Sequence, residues 1–227
     1  MITDELRKAE KGLHKQIDGL LEQEDKFPQK DITQQIFEFM QGLSGETASH
    51  CVHVGEYSRI LATELGLPEE QVDKICQAAM LHDLGKIVFP NNIISKPGRL
   101  THAEWELIKK HTVYGYDFLS EAHGQTLQLT ARVALEHHER WDGGGYLGKK
   151  GRDICLEARI VSLADVFDAL VSTRSYKKSW PPEVALAEIM RQGRKQFDPE
   201  LTAAFEHCWR EITEAMQNHQ KNRLIIK

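Results

Sequence analysis

Histidines and carboxylates interrupt this chain where apolar helical stripes would otherwise continue. They are Glu46, His50, the adjacent pair His82-Asp83, His111, the pair His137-His138, and Asp165. Eight ionisable side chains aimed into a core cost far too much to bury without compensation. For a mixture of imidazoles and carboxylates, the compensation that fits is a cluster of divalent metal ions. Metal-dependent hydrolysis is the leading idea.

The stripes themselves predict an all-α protein, because almost every segment repeats its apolar residues at 3.6 rather than at 2. A polar helix over 3–24 carries Leu6, Leu13, Ile17, Leu20 and Leu21, and a second short one carries Ile36, Phe37 and Met40. After a turn at 42–46, a helix over 46–65 stops at Gly66. The next, over 69–84, runs through Val72, Cys76 and Ala79 to Asp83, with Gly85 as a left-handed stop. Thr101 and Glu104 form a capping box for a helix over 102–119, on which Leu107, His111, Gly115 and Phe118 share a face. Further helices are expected over 126–139 and 156–172. A last one starts on the Asp198-Pro199 cap and carries Leu201, Phe205, Trp209 and Met216. The five glycines of RWDGGGYLGKKGRD make that stretch an irregular loop.

At 227 residues the chain suits one large domain, divided here into an N-terminal helical extension (1–42) and a main domain (43–227). A net charge of −5 implies no broad basic surface, so duplex nucleic acid is not an expected partner. An anionic substrate would need a local positive site. The cysteines Cys51, Cys76, Cys155 and Cys208 form no CxxC pair and read as buried hydrophobes. The N-terminus has no apolar signal core, and no run approaches the ~18 apolar residues of a membrane span. A reducing cytoplasm is the expected compartment.

Singly, each candidate ligand has an ordinary reading. Glu46 and His50, one turn apart, could be a surface pair. His111 could be a satisfied core histidine, and His137-His138 could bind the last carbonyls of a helix. Asp165 and Asp168 could be caps or ion pairs, and His53 could be exposed or support a ligand. His82-Asp83 is harder to explain away. Neighbouring helical residues point about 100° apart, so both aim inward only where a helix end opens onto a cavity. There Asp83 needs a cation, and its two oxygens can bridge two.

The segments AAMLHDLGKIVFPNNIISKPGRLTHAEWELIKKHTVYG, ALEHHERWDGGGYLG, ARIVSLADVFDAL and SYKKSW, with FDPEL downstream, resemble the HD-GYP family of the HD phosphohydrolase superfamily, the cyclic di-GMP phosphodiesterases. The resemblance covers roughly residues 43–210. It implies a compact HD-type domain of about seven or more helices around two or three iron or manganese ions. His50, His82, Asp83 and Asp165 would hold one ion, and Asp83 would bridge to a second held by His111, His137 and His138. Glu46 would serve a third. Lys86 would lie near the scissile phosphate, and Arg174 and Lys177 would clamp the dinucleotide. Asp83 and Lys86 are thus the expected catalytic pair: a hydroxide between the metals attacks in line, Asp83 orients the metals, and Lys86 stabilises developing charge or assists the departing 3′-oxygen. The product would be the linear dinucleotide, with further cleavage to mononucleotides left open.

Two positions depart from the family pattern. Leu147 stands where the signature loop has proline, which bears on loop rigidity, substrate preference and the docking of a signalling partner at Gly145-Tyr146-Leu147. His53 stands where the family usually has arginine. The alternatives are an HD hydrolase of another nucleotide, such as hybrid cyclic GMP-AMP or a (p)ppGpp-like molecule, and a silent module that binds cyclic di-GMP. The first 42 residues match no sensory domain and read as helices packed on the core or as a homodimer contact.

Overall fold

The computed structural model describes residues 2–24, 26–43, 45–96, 98–173 and 179–225. Its helices are α1 (Ile2–Leu21), α2 (Gln29–Leu43), α3 (Gly45–Glu64), α4 (Glu69–Leu81), α5 (Asn91–Ile94), α6 (His102–Ile108), α7 (His111–Leu119), α8 (Gln125–Glu136), α9 (Leu156–Val171), α10 (Pro182–Arg191), α11 (Pro199–His207) and α12 (Trp209–Ile225). No β-strand is present among the described residues, so the all-α expectation holds. No helix among them is long and apolar enough to cross a membrane.

Two apolar clusters hold these helices together. The larger joins α3, α4, α9, α10, α11 and α12 through Leu61, Ile75, Phe167, Ile189, Phe205 and Ile212, all fully buried. Tyr57, Phe205 and Trp209 pack their edges and faces around Phe167 at ring separations of 5.1–5.7 Å. The second cluster lays α1 and α2 over the end of α4, α7 and α8, with Ile17, Ile32, Ile36 and Met40 against Leu81, Phe118 and Leu127. Each buried Leu, Ile or Phe contributes about 1.5–3 kcal/mol by leaving water. The candidate ligands lie where the two clusters meet, on α3 and α9 and at the ends of α4, α7 and α8.

Three local expectations are corrected. The helix expected over 102–119 is two helices, broken at Lys109-Lys110, although the Thr101–Glu104 capping box is present at the start of α6. The break coincides with the close approach of the Gly85 backbone to the His111 carbonyl, and it places His111 at the start of α7. The helix expected from Pro199 onward likewise divides at Cys208 into α11 and α12. Gly85 is not a left-handed stop. It lies in a 3₁₀ turn, Leu84–Val88, with no positive φ. Its lack of a side chain is required by close approach: a Cβ there would stand 2.0 Å from the His111 carbonyl oxygen and 2.5 Å from the Gly115 nitrogen. Helix α10, which starts at Pro182 and buries Ala185 and Ile189, was not anticipated.

Candidate metal centre

His82 caps the C-terminus of α4, and Asp83 opens the following 3₁₀ turn. The turn out of the helix lets neighbouring side chains reach one interior point. His137 caps the C-terminus of α8, His138 follows it, and His111 begins α7. His50 comes from α3 and Asp165 from the middle of α9. The C-terminal ends of α4 and α8 both bring partial negative charge to this point, which favours a cation there.

The hydrogen bonds settle which nitrogen faces inward. A carbonyl oxygen only accepts, so each Nδ1 bonded to one carries the proton. His82 Nδ1 donates to the Ala79 carbonyl at 2.6 Å, His111 Nδ1 to Ile108 at 2.7 Å, and His137 Nδ1 to Ala134 at 2.9 Å. Burial lowers the His111 pKa to about 3 and pushes that of His137 well below its ordinary value, so both rings are neutral. Their Nε2 atoms therefore point unprotonated lone pairs at each other across 3.3 Å.

Both also face Asp83, whose Oδ1 lies 3.4 Å from His111 Nε2 and 3.7 Å from His137 Nε2. Burial alone would raise the Asp83 pKa, but the Lys86 ammonium, foremost, holds it well below the ordinary carboxylate range. Asp83 Oδ1 and His82 Nε2 are buried and have no hydrogen-bond partner among the described residues. Acceptors converging on acceptors in the dry interior would be prohibitive as a resting arrangement. A positive ion between them turns every one of these contacts attractive.

The donor atoms fall into two groups that share Asp83. One comprises Asp83, His111, His137 and His138, and the other His50, His82 and Asp83, with ligand atoms in each within 4.8 Å of one another. Asp165 adjoins the second group, its Oδ1 3.0 Å from His50 Nε2 and 4.0 Å from His82 Nε2. His50 is buried, which would lower its pKa, yet Asp165 and Asp168 raise it to about 9. The site is closed on one side and open on the other: the His82, Asp83, His111 and His137 side chains are 0–2% exposed, whereas His50 and Asp165 are 13% and 14% exposed. Nitrogen and oxygen donors with an open face suit divalent ions that keep exchangeable positions.

The HD domain model matches residues 30–201. This chain belongs to the HD domain family. Within it, the HD dipeptide, the His-His pair and the GY loop mark it as HD-GYP. The HD domain is 45% identical over 176 residues to a cyclic di-GMP phosphodiesterase of Thermotoga maritima, covering 77% of this chain and 48% of that protein. It is 38% identical over 184 residues to the 3'3'-cGAMP-specific phosphodiesterase 2 of Vibrio cholerae, covering 81% of this chain and 35% of that protein. The chain thus spans about half the length, or less, of the curated relatives it matches. Among solved structures, an HDG"Y"P protein from Bdellovibrio bacteriovorus shares the fold with a TM-score of 0.62 at 18% identity, covering 89% of this chain and 70% of that one.

Lys86 reaches the centre of the HD domain from the 3₁₀ turn, its Nζ 2.5 Å from Asp83 Oδ2 and its side chain 27% exposed. Burial opposes its charge, but Asp83 and Asp165 raise its pKa, so it stays an ammonium. Glu46 lies in α3 one turn before His50, with its side chain outside the described set. Arg174 and Lys177 lie outside the described residues.

The loop after His138 is built on two buried carboxylates that motif reading passed over. Glu139 accepts from the backbone N–H of Leu147 and of Lys149, both at 2.7 Å. Glu136 accepts from the Cys155 N–H at 2.8 Å and from Lys149 Nζ at 2.7 Å. Gly145 passes so close that a Cβ would stand 2.5 Å from Glu139 Cα. A proline at 147 has no N–H to give Glu139, so leucine supplies a tether that the family's usual residue cannot. Tyr146 then lies over His138 at a ring separation of 4.8 Å, with Trp105 at 6.3 Å and Lys109 Nζ 5.7 Å from its ring centre.

Asp168, expected as a cap or an ion pair, is the partner of His50 and His53, and only its role in holding His50 was not anticipated. It is 1% exposed and accepts from His50 Nδ1 at 2.6 Å, from His53 Nδ1 at 3.0 Å and from Ser172 Oγ at 3.1 Å. The signal was there to be used: Asp168 follows Asp165 by three residues on the same apolar face.

Proposed function

We propose that this HD domain is a metal-dependent phosphodiesterase that opens a cyclic dinucleotide, cyclic di-GMP first, to the linear dinucleotide. The observation that carries the reading is the convergence of the unprotonated His111 and His137 Nε2 atoms on the charged, partnerless Asp83 Oδ1. His50, His82, Asp83 and Asp165 would hold one ion and Asp83, His111, His137 and His138 a second, with iron or manganese the expected metals and Glu46 available to a third. Bound divalent ions supply Lewis acidity that lowers the pKa of water toward neutrality and offsets phosphate charge.

The chain's own groups do the rest. Asp83 is the shared carboxylate that fixes the spacing of the two donor groups. Lys86 carries a retained ammonium on a partly exposed stem, suited to holding charge that develops on the phosphate rather than to giving up a proton. Arg174 and Lys177 would clamp the dinucleotide. The 48% and 35% coverage of the relatives leaves room in those proteins for further segments, and the substrate assignment follows the activities for which those relatives are named. A homodimer and a signalling partner at Gly145-Tyr146-Leu147 belong to the same proposal, as does a cytoplasmic location, which the four free cysteines suit.

A second reading, specificity for 3'3'-cGAMP, is favoured by the Vibrio cholerae relative and by the Glu139–Leu147 tether, which gives this loop an anchor foreign to a proline-bearing loop. Metal analysis of anaerobically purified protein, coupled to product analysis with both dinucleotides, tests the proposal. Two or more ions per chain and linear product support it. Protein that takes up no Fe²⁺ or Mn²⁺ overturns it, and metal-loaded protein that binds a dinucleotide without turnover replaces it with a sensor.

A further inference from the structure

Behind His50, on the side away from the other ligands, lies a chain of polar groups that ends on the last helix. Asp168 Oδ2 holds His50 Nδ1 at 2.6 Å, and Asp168 Oδ1 holds His53 Nδ1 at 3.0 Å. The far face of His53 packs against the ring of His219, with centroids 4.0 Å apart and planes inclined by 32°. The His219 ring stands edge-on to Tyr57 at 5.8 Å, and its Nε2 lies 2.8 Å from Glu56 Oε2. His219 belongs to α12, beyond residues 30–201 that match the family.

We infer that His53 and His219 are positioning residues, which set the metal affinity of the His50 group by immobilising Asp168. An imidazole ligand presents a fixed lone pair only when its other nitrogen is held, and loss of such a holding group typically weakens metal binding about 10–100-fold. Asp168 can hold His50 only if its own carboxylate does not turn. Ser172 shares the oxygen that already takes His50, so among the described residues His53 is the donor that secures the other one. A cavity of about 280 Å³ adjoins this carboxylate, lined in part by His53, Tyr57, Ser172, Met216 and His219. With His53 shortened or made apolar, Asp168 has space to turn into and no donor to stop it. His219 narrows that space and keeps His53 in the bonding rotamer.

The inference rests on the metal reading, and the test separates the two. Metal-stripped protein is titrated with Mn²⁺ against a fluorescent chelator, for wild type, His53→Leu, His53→Asn and His219→Ala, with circular dichroism on each. Wild type should bind in two resolvable steps. His53→Leu should weaken one step about 10–100-fold and leave the other unchanged. His53→Asn, whose amide nitrogen can take the place of Nδ1, should recover most of the loss, a rescue that a purely space-filling role does not give. His219→Ala should fall between wild type and His53→Leu.

If wild type takes up no Mn²⁺, the metal reading itself fails. If wild type binds both ions and a folded His53→Leu binds them equally well, the positioning role is refuted while the metal centre stands. Should His53→Leu not fold, His219→Ala decides: a weakened step supports the inference, and unchanged affinity overturns it.

Discussion

Gly85 is the residue on which the seating of His111 depends most directly, and Gly85→Ala is the sharpest test of that geometry. The added methyl would meet the His111 carbonyl oxygen at 2.0 Å, where ordinary contact begins at 3.4 Å, so one backbone must retreat by 3.4 − 2.0 = 1.4 Å. Neither is a side chain that can swing aside. Overpacking a well-packed site typically costs about 1–3 kcal/mol, and a backbone-on-backbone collision belongs at the upper end. The variant regains about 0.4–1 kcal/mol because alanine restricts the unfolded chain. A net loss of about 2 kcal/mol is expected in urea unfolding of metal-stripped protein. The retreat also carries His111 Nε2 away from Asp83 Oδ1, 3.4 Å away in the native structure, so Mn²⁺ affinity in the His111 group should drop about tenfold or more. Gly12→Ala is the control. Nothing lies within 4 Å of its would-be Cβ in the middle of α1, and it should stabilise by about 0.5–1 kcal/mol. A Gly85→Ala protein as stable as wild type, with unchanged Mn²⁺ binding, would refute the claim that this backbone contact seats the ligand.

Other expectations concern the loop, the shared carboxylate and acid stability. Leu147→Pro removes the N–H that Glu139 accepts at 2.7 Å and should cost about 1–3 kcal/mol in chemical unfolding, whereas Leu147→Ala keeps the N–H and should change little. Asp83→Asn takes the common charge from both donor groups, and the two-step Mn²⁺ titration should collapse to weak binding with turnover lost; two intact steps would show that Asp83 is not shared. Glu104, bonded to Lys96 and to the Thr101 N–H, has its pKa lowered from 4.5 to about 2. Its contribution is present above pH 4.5 and lost as pH falls toward 2, so the Tm advantage of wild type over Glu104→Gln should close across that window. A gap that persists at pH 2 would rule out ionisation as its source.

Much of the architecture was readable because burial writes a period into a helix: Ile17, Ile36, Ala79, Phe118 and Phe205 occupy the inward positions their spacing implied. The ligand candidates were readable for the complementary reason, as ionisable residues at positions a core would give to leucine. What escaped depends on contacts between distant segments. No local pattern says that α6 and α7 break at Lys109-Lys110, since the break is fixed by the approach of Gly85 to the His111 carbonyl across 26 residues of chain. Asp168 reads as a cap or an ion pair in the sequence, and only the fold names its partners, His50 and His53, 118 and 115 residues away. Glu136 and Glu139 flank the histidine pair and carry no motif signal of their own. Their carboxylates turn inward to gather loop N–H groups, a role set by where the chain returns rather than by its composition.

That last arrangement ties surface to interior. The two glutamates flank the histidine pair on the same short stretch of backbone, and Glu139 grips the loop at Leu147, whose side chain is 47% exposed. Leu147 in water and His138 in the interior are therefore linked by two contacts, the Glu139 carboxylate on the loop backbone and the Tyr146 ring over the imidazole.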